Sequence, residues 1–241
     1  MNIISYSGTG NLGDAIQTLA VLEVFKKNKI AFDDYIDRKN LKNNMFINGW
    51  HRNKNEKLPD EAIFCSIHSD HQHLRQIKKN CFVGCRDYWT LEICKKLKIE
   101  SILTGCITIN FPISNIKRKN ELFIDSKYLE KNQYTQGISK DLDWKSQLIL
   151  AKERLFLLSS SELVHTKRLH ILIPCIAMEI PVILDDIHES DNDRFSLISK
   201  LVEINKIIDI NSGIKGELLN IWMSGFSKII ERYNDLLYKR V

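Results

Sequence analysis

The sequence predicts an α/β protein with mainly parallel sheets, built as two half-size domains facing one another and followed by an amphipathic C-terminal helix. Three observations predict it. Strand-length apolar runs alternate with segments of helical period along most of the chain. A polar, basic stretch from Asn110 to Asn120, holding one of only four prolines, interrupts that alternation and reads as a boundary. Near the C-terminus the pattern changes again, to a single helical stripe. The expected parts are residues 1–111, residues 120–212 and a helix over 213–241 that packs back on the first domain. The cleft between the two domains is the default ligand site.

Taken in order, Asn2–Ser7 is a short buried strand, followed by the turn Gly8-Thr9-Gly10-Asn11-Leu12-Gly13-Asp14. From Ala15 to Lys27, residues Ile16, Leu19, Ala20, Val24 and Phe25 recur at helical spacing, and Ala31–Asp37 is extended again. This is a βαβ opening. Ala62–Ile67 and Asn80–Gly84 are strand-like, Tyr88–Lys98 is a helix with its basic residues late, and Ser101–Ile109 is a further strand. The second set runs strand Leu122–Asp125, helix Trp144–Leu158, strand Glu162–Thr166, turn and helix Lys167–Glu179, strand Pro181–Leu184. Leu218, Leu219, Trp222, Phe226, Ile229, Ile230, Tyr233 and Leu237 trace the final stripe.

Composition narrows the class. A chain of 241 residues can bury a core without metal or disulfide staples. Its 44% hydrophobic and 27% charged residues exclude a disordered, collagenous or coiled-coil protein. The longest apolar run, Ile171–Met178, falls far short of the ~20 residues of a membrane helix. Met1–Tyr6 lacks the basic region of a signal sequence, so an untargeted, cytoplasmic chain is expected. The six cysteines form no Cys-x-x-Cys pair and read as reduced core residues. A net charge of +5 suits anionic substrates or lipid headgroups, without the basic cluster that nucleic-acid binding requires.

Four constellations carry chemistry. Gly8-x-Gly10-x-x-Gly13, between a strand and a helix, matches the dinucleotide fingerprint, with Asp33, Asp34 or Asp37 in range of a ribose. The alternative is a turn that needs positive φ and binds nothing. Val164-His165-Thr166-Lys167-Arg168-Leu169-His170 leads from a strand into a helix, and Pro174 sets where that helix can start. Arg168 and His170 then stand where backbone N–H groups and the helix dipole favour an anion; the plainer alternative is a surface Arg with a capping His. In Gly84-Cys85-Arg86-Asp87, Asp87 reads as an N-cap and Arg86 lies just outside the helix. Arg86 either meets a ligand or pairs with a neighbouring carboxylate. His68-Ser69-Asp70-His71-Gln72-His73 invites a metal, but no helical His-x-x-x-His pair occurs in it. A polar loop is the expectation there, and the alternative is His68 alone reaching a cleft from the end of its strand.

Together these segments resemble the polysaccharide pyruvyl transferase family. The resembling residues are Asn11-Leu12-Gly13-Asp14-Ala15-Ile16-Gln17, Gly84–Asp87 with Thr90, Leu103–Thr108, and Val164-x-Thr166-x-Arg168-Leu169-His170 running on to Ile180–Ile183, all in the family's order. Where a glycine is common two residues before Pro181, this chain has Glu179. The resemblance implies two facing Rossmann-like domains of GT-B-like form. It implies transfer of the pyruvyl group of phosphoenolpyruvate onto two hydroxyls of a glycan or lipid-linked sugar, without metal or organic cofactor. On that pattern Arg86, Arg168 and His170 are catalytic, and Asn11, Gly13, Asp14, Gln17, His68, Gly105 and Thr166 bind substrate. Lys215, Lys228, Arg232, Lys239 and Arg240 on the last helix could also touch anionic membrane at its inner face.

Three other classes compete. A GT-B-like glycosyltransferase would hold a nucleotide sugar, with Glu189 or Asp191 on the ribose. A Rossmann oxidoreductase would rest on the glycine spacing alone. A non-enzymatic anion-binding module would bind without turnover.

Overall fold

The computed structural model describes every residue except 53–55, 79, 132, 209–212 and 238–241, so Lys239 and Arg240 lie outside the described residues. It is a mixed α/β fold. The first half of the chain runs β1 (Asn2–Ser5), α1 (Leu12–Lys27), β2 (Tyr35–Asp37), β3 (Met45–His51), β4 (Ile63–Ser69), α2 (His71–Leu74), β5 (Val83–Cys85), α3 (Tyr88–Leu97) and β6 (Ser101–Leu103). The second runs β7 (Glu121–Ile124), α4 (Trp144–Ser159), β8 (Leu163–Thr166), α5 (Leu169–Ala177), β9 (Val182–Leu184), β10 (Ile207–Ile208) and α6 (Ile214–Leu237). Among the described residues no helix is long and apolar enough to cross a membrane.

Six strands form one parallel sheet in the order β2-β1-β3-β4-β5-β6. The chain reverses direction across the sheet between β1 and β3, a switch point unlike the 3-2-1-4-5-6 order of dinucleotide-binding sheets. The other sheet has the order β10-β9-β8-β7, parallel through β7, β8 and β9, with β10 antiparallel at one edge. The chain divides into two compact units. One comprises Met1–Ser5, Val21–Ile107 and Asn220–Val241; the other comprises Tyr6–Ala20 and Thr108–Leu219.

In the first unit, β4 is buried along its whole length, as a parallel strand covered on both faces should be. Phe25 of α1 meets Phe46 of β3 edge to face, with centroids 5.1 Å apart. The later turns of α6 bury Trp222 and Phe226, whose rings stack at 4.9 Å. The Tyr233 hydroxyl accepts from the Phe82 amide at 2.9 Å, which ties that helix to the segment before β5.

Two elements depart from the sequence reading. β3 has no counterpart there, because Asn48-Gly49 carries a turn signature in the middle of what proves to be a central strand. The strand expected over Ser101–Ile109 ends at Leu103. There the Thr104 amide and hydroxyl both donate to Cys85 O, and beyond it the Ile107 amide donates to Ser66 Oγ, so a side chain takes over from the sheet ladder.

At the carboxyl ends of β2 and β3, Glu56 accepts from Arg38 Nε at 2.7 Å and meets His51 Nδ1 at 3.0 Å. His51 Nε2 lies 2.8 Å from Asn48 O, inside the unit. Burial pushes the Glu56 carboxyl up, but His51 and Arg38 outweigh it and bring it from an ordinary 4.5 down to about 2. A depressed carboxylate stabilises the fold above its unfolded pKa and loses that contribution as pH falls through its folded value. Urea unfolding should therefore show Glu56→Gln about 3 kcal/mol less stable than wild type at pH 7. The gap should close between about pH 4.5 and pH 2; a gap independent of pH would remove the ion-pair account.

Candidate functional site

The second unit brings two helix entrances together. Gly8 and Gly10 take φ values of 69° and 67°, and the chain then passes through Asn11 into α1. Asn11 Oδ1 accepts from Gly13 N at 3.0 Å, Asn11 O accepts from Asp14 N at 3.2 Å, and Leu12 N donates to Gln136 O at 2.8 Å. The first amides of α1 are thus taken up by the protein, where a dinucleotide turn would aim them at a pyrophosphate. Gly13 has its own reason to be glycine: a Cβ there would lie 2.7 Å from His170 Nδ1 and 3.1 Å from His170 Cβ. Chain geometry and packing therefore account for the glycine spacing that matched the dinucleotide fingerprint.

α5 supplies His170 and Arg168. Asp70, Asp87 and Asp143 cap α2, α3 and α4, whereas the N-cap of α5 is Arg168, which makes no side-chain cap bond. A cation at that end opposes the helix dipole and forgoes the stability of an Asp cap, about 1 kcal/mol. The Arg168 amide donates to Thr166 Oγ1 at 3.0 Å, so fully buried Thr166 sets the path from β8 into the helix. Pro174 has no N–H to offer the His170 carbonyl, and the backbone at His170 is non-helical, with φ −84° and ψ 15°. The helix thus starts ahead of the kink rather than at Ile173. His170 is buried against Gly13, while the Arg168 side chain remains 44% exposed.

Arg168 is held from a third direction. Its Nε donates to Asp125 Oδ2 at 2.8 Å, and the same oxygen accepts from Gln136 N at 2.9 Å. Asp125 follows β7 with a φ of 45°, a conformation few carboxylate residues adopt outside tight turns. Burial raises its pKa, but the Gln136 amide, Thr135 and the Arg168 guanidinium together hold it below the usual carboxylate range. Asp125 and Gln136 were not among the residues the sequence singled out; a carboxylate at a strand end is too common a signal to stand out. Asp14 and Gln17 lie buried on α1, on the turns that follow Gly13.

Arg86, His68 and Gly105 belong to the first unit. Asp87 caps α3 through Thr90 N, as its position in the sequence suggested, and its Oδ2 lies 2.7 Å from His68 Nδ1 and 3.6 Å from Arg86 Nε. His68 ends up deep in the unit beside Asp87, not on a polar loop, and Arg86 pairs with a neighbouring carboxylate. Burial raises the Asp87 pKa, and His68, Arg86 and the Thr90 amide bring it below the ordinary range. Gly105, with φ 68°, directs the chain out of β6. His73 turns to Asp70, and no group of three His, Cys, Asp or Glu suited to a metal occurs among the described residues.

No protein-family model and no curated protein matches the sequence. Among solved structures, the chain is similar to a functionally uncharacterised protein from Klebsiella pneumoniae, at 14% identity and a TM-score of 0.54. The match covers 84% of this chain and 89% of that one, and it concerns the fold alone.

The contact between Gly13 and His170 can be tested directly. Gly13→Ala gains about 1 kcal/mol of helix propensity but drives a methyl group into the imidazole. Stability by urea unfolding should change by less than about 2 kcal/mol, while the affinity for inorganic phosphate measured by calorimetry should fall at least tenfold. Unchanged phosphate binding would show that the site does not need the two helix entrances in contact.

Proposed function

We propose that this chain is a transferase of the polysaccharide pyruvyl transferase type, which moves the pyruvyl group of phosphoenolpyruvate onto two hydroxyls of a sugar. The observation that carries the reading is that Arg168 and His170 both stand at the entrance of α5, with Gly13 in the first turn of α1 packed on His170. Phosphoenolpyruvate is a small, multiply charged anion. A guanidinium and the positive ends of helices complement its carboxylate and phosphate.

In the proposed reaction a proton adds to the methylene carbon of the donor, and the first sugar hydroxyl bonds to C2 and loses its proton. Phosphate then departs with the electrons of its C–O bond, and the second hydroxyl closes the ketal, again releasing a proton. His170 is the acid for the first step, and Arg168 holds the departing phosphate. A positioned acid contributes about 10²–10⁴-fold. The GT-B-like organisation, the surface-polysaccharide or lipid-linked acceptor and a cytoplasmic location at the inner membrane face belong to the same proposal. No step in it calls on a metal or an organic cofactor.

Titration calorimetry against phosphoenolpyruvate, NADH and UDP-sugars is the test. Phosphoenolpyruvate should bind selectively, and Arg168→Ala should weaken it at least tenfold. His170→Ala should keep donor binding while turnover falls about 10²–10⁴-fold. Binding of a nucleotide in place of phosphoenolpyruvate, or full turnover in His170→Ala, would overturn the assignment.

A further inference from the structure

We infer that Gln136 is a further ligand-binding residue of the site around Arg168 and His170, its side-chain amide hydrogen-bonding the bound anion; the identity of that anion rests on the phosphoenolpyruvate reading. Residues 133–138 form a strap between the end of β7 and the glycine turn. Gln133 N donates to Phe123 O at 3.1 Å, Asp125 N to Tyr134 O at 3.2 Å, and Ile138 N to Gly10 O at 3.1 Å. Arg154 pins the middle, donating to Thr135 O at 3.2 Å and lying 4.8 Å from the centre of the Tyr134 ring.

Gln136 links the two helix entrances through its backbone. Its N–H goes to the Asp125 oxygen that holds Arg168, and its carbonyl takes the first amide of α1. Gln133, Tyr134, Thr135 and Gly137 are exposed, yet Gln136 is only 3% exposed, so the strap turns this one side chain inward. Both ends of its amide are buried without a protein partner. The same holds for Gln17, fully buried one helical turn after Gly13 on the face of α1 that meets His170.

An amide shut away from water without partners is disfavoured, and packing alone would be served as well by an apolar side chain of similar size. The amide has a purpose if a ligand completes it. Its N–H₂ donates to a carboxylate or phosphate oxygen, and its carbonyl accepts from a hydroxyl. The neutral group adds contacts beside Arg168 without adding charge next to Asp125.

Calorimetry with phosphoenolpyruvate on wild type, Gln136→Leu, Gln136→Glu and Arg168→Ala, with thermal melts of each, tests the inference. Gln136→Leu should melt at or above the wild-type temperature and bind about tenfold more weakly, the loss expected for a hydrogen bond to a charged group. Gln136→Glu should bind more weakly still, because its carboxylate repels the anion. If Gln136→Leu fails to fold, Gln136→Met removes the amide with a more adaptable side chain. Unchanged affinity without the amide, alongside loss in Arg168→Ala, would mean that the amide meets only buried water. That result overturns this inference and leaves the phosphoenolpyruvate reading standing. Absence of phosphoenolpyruvate binding to wild type overturns both.

Discussion

The imidazole of His170 rests on the backbone of Gly13, and the second unit is organised around that contact. Two helices can approach at their entrances only if one offers no side chain there. With Gly13 bare, the start of α1 lies against the start of α5, and the positive ends of both dipoles add in one place. The neighbouring features follow from this. α5 is buried along its length, and Arg168 stands where α2, α3 and α4 carry a capping aspartate. The chain around Pro174 yields at His170 rather than moving the helix away.

A concentration of positive potential at two helix entrances calls for a counter-charge. Asp125 supplies it, with one carboxylate oxygen on the Arg168 guanidinium and on the Gln136 amide. The segment that carries Gln136 also takes the first amide of α1, so that donor is used in holding the fold together. On the α5 side the Arg168 side chain, though paired with Asp125, remains 44% exposed. In the first unit the same economy of groups appears differently. Asp87 caps a helix, orients His68 and neutralises Arg86 from one buried position.

Much of this was legible in the residues themselves. The alternation of strand and helix, Asp87 as an N-cap, and the place of Arg168 and His170 at a helix entrance all follow from local spacing and side-chain chemistry. Gly8-x-Gly10-x-x-Gly13 was legible as a turn but misleading as a cofactor motif, because the third glycine answers to a side chain far along the chain. β3 escaped notice since Asn48-Gly49 looks like a hairpin turn, and only its placement between β1 and β4 makes it a strand. Ser101–Ile109 looked like one strand because its apolar residues continue, although Gly105, at positive φ, turns the chain away just past Leu103.

The amino-acid sequence by itself determined most of the helices and strands, β3 excepted, and where charge gathers at their ends. Those properties depend on residues within one or two turns of each other. The tertiary structure decided that Tyr6–Ala20 groups with Thr108–Leu219, that Asp125 and Gln136 converge on Arg168, and that Gly13 belongs to His170. Those pairs are separated by long stretches of chain, and nothing in local periodicity encodes which distant side chain will fill the space a missing Cβ leaves.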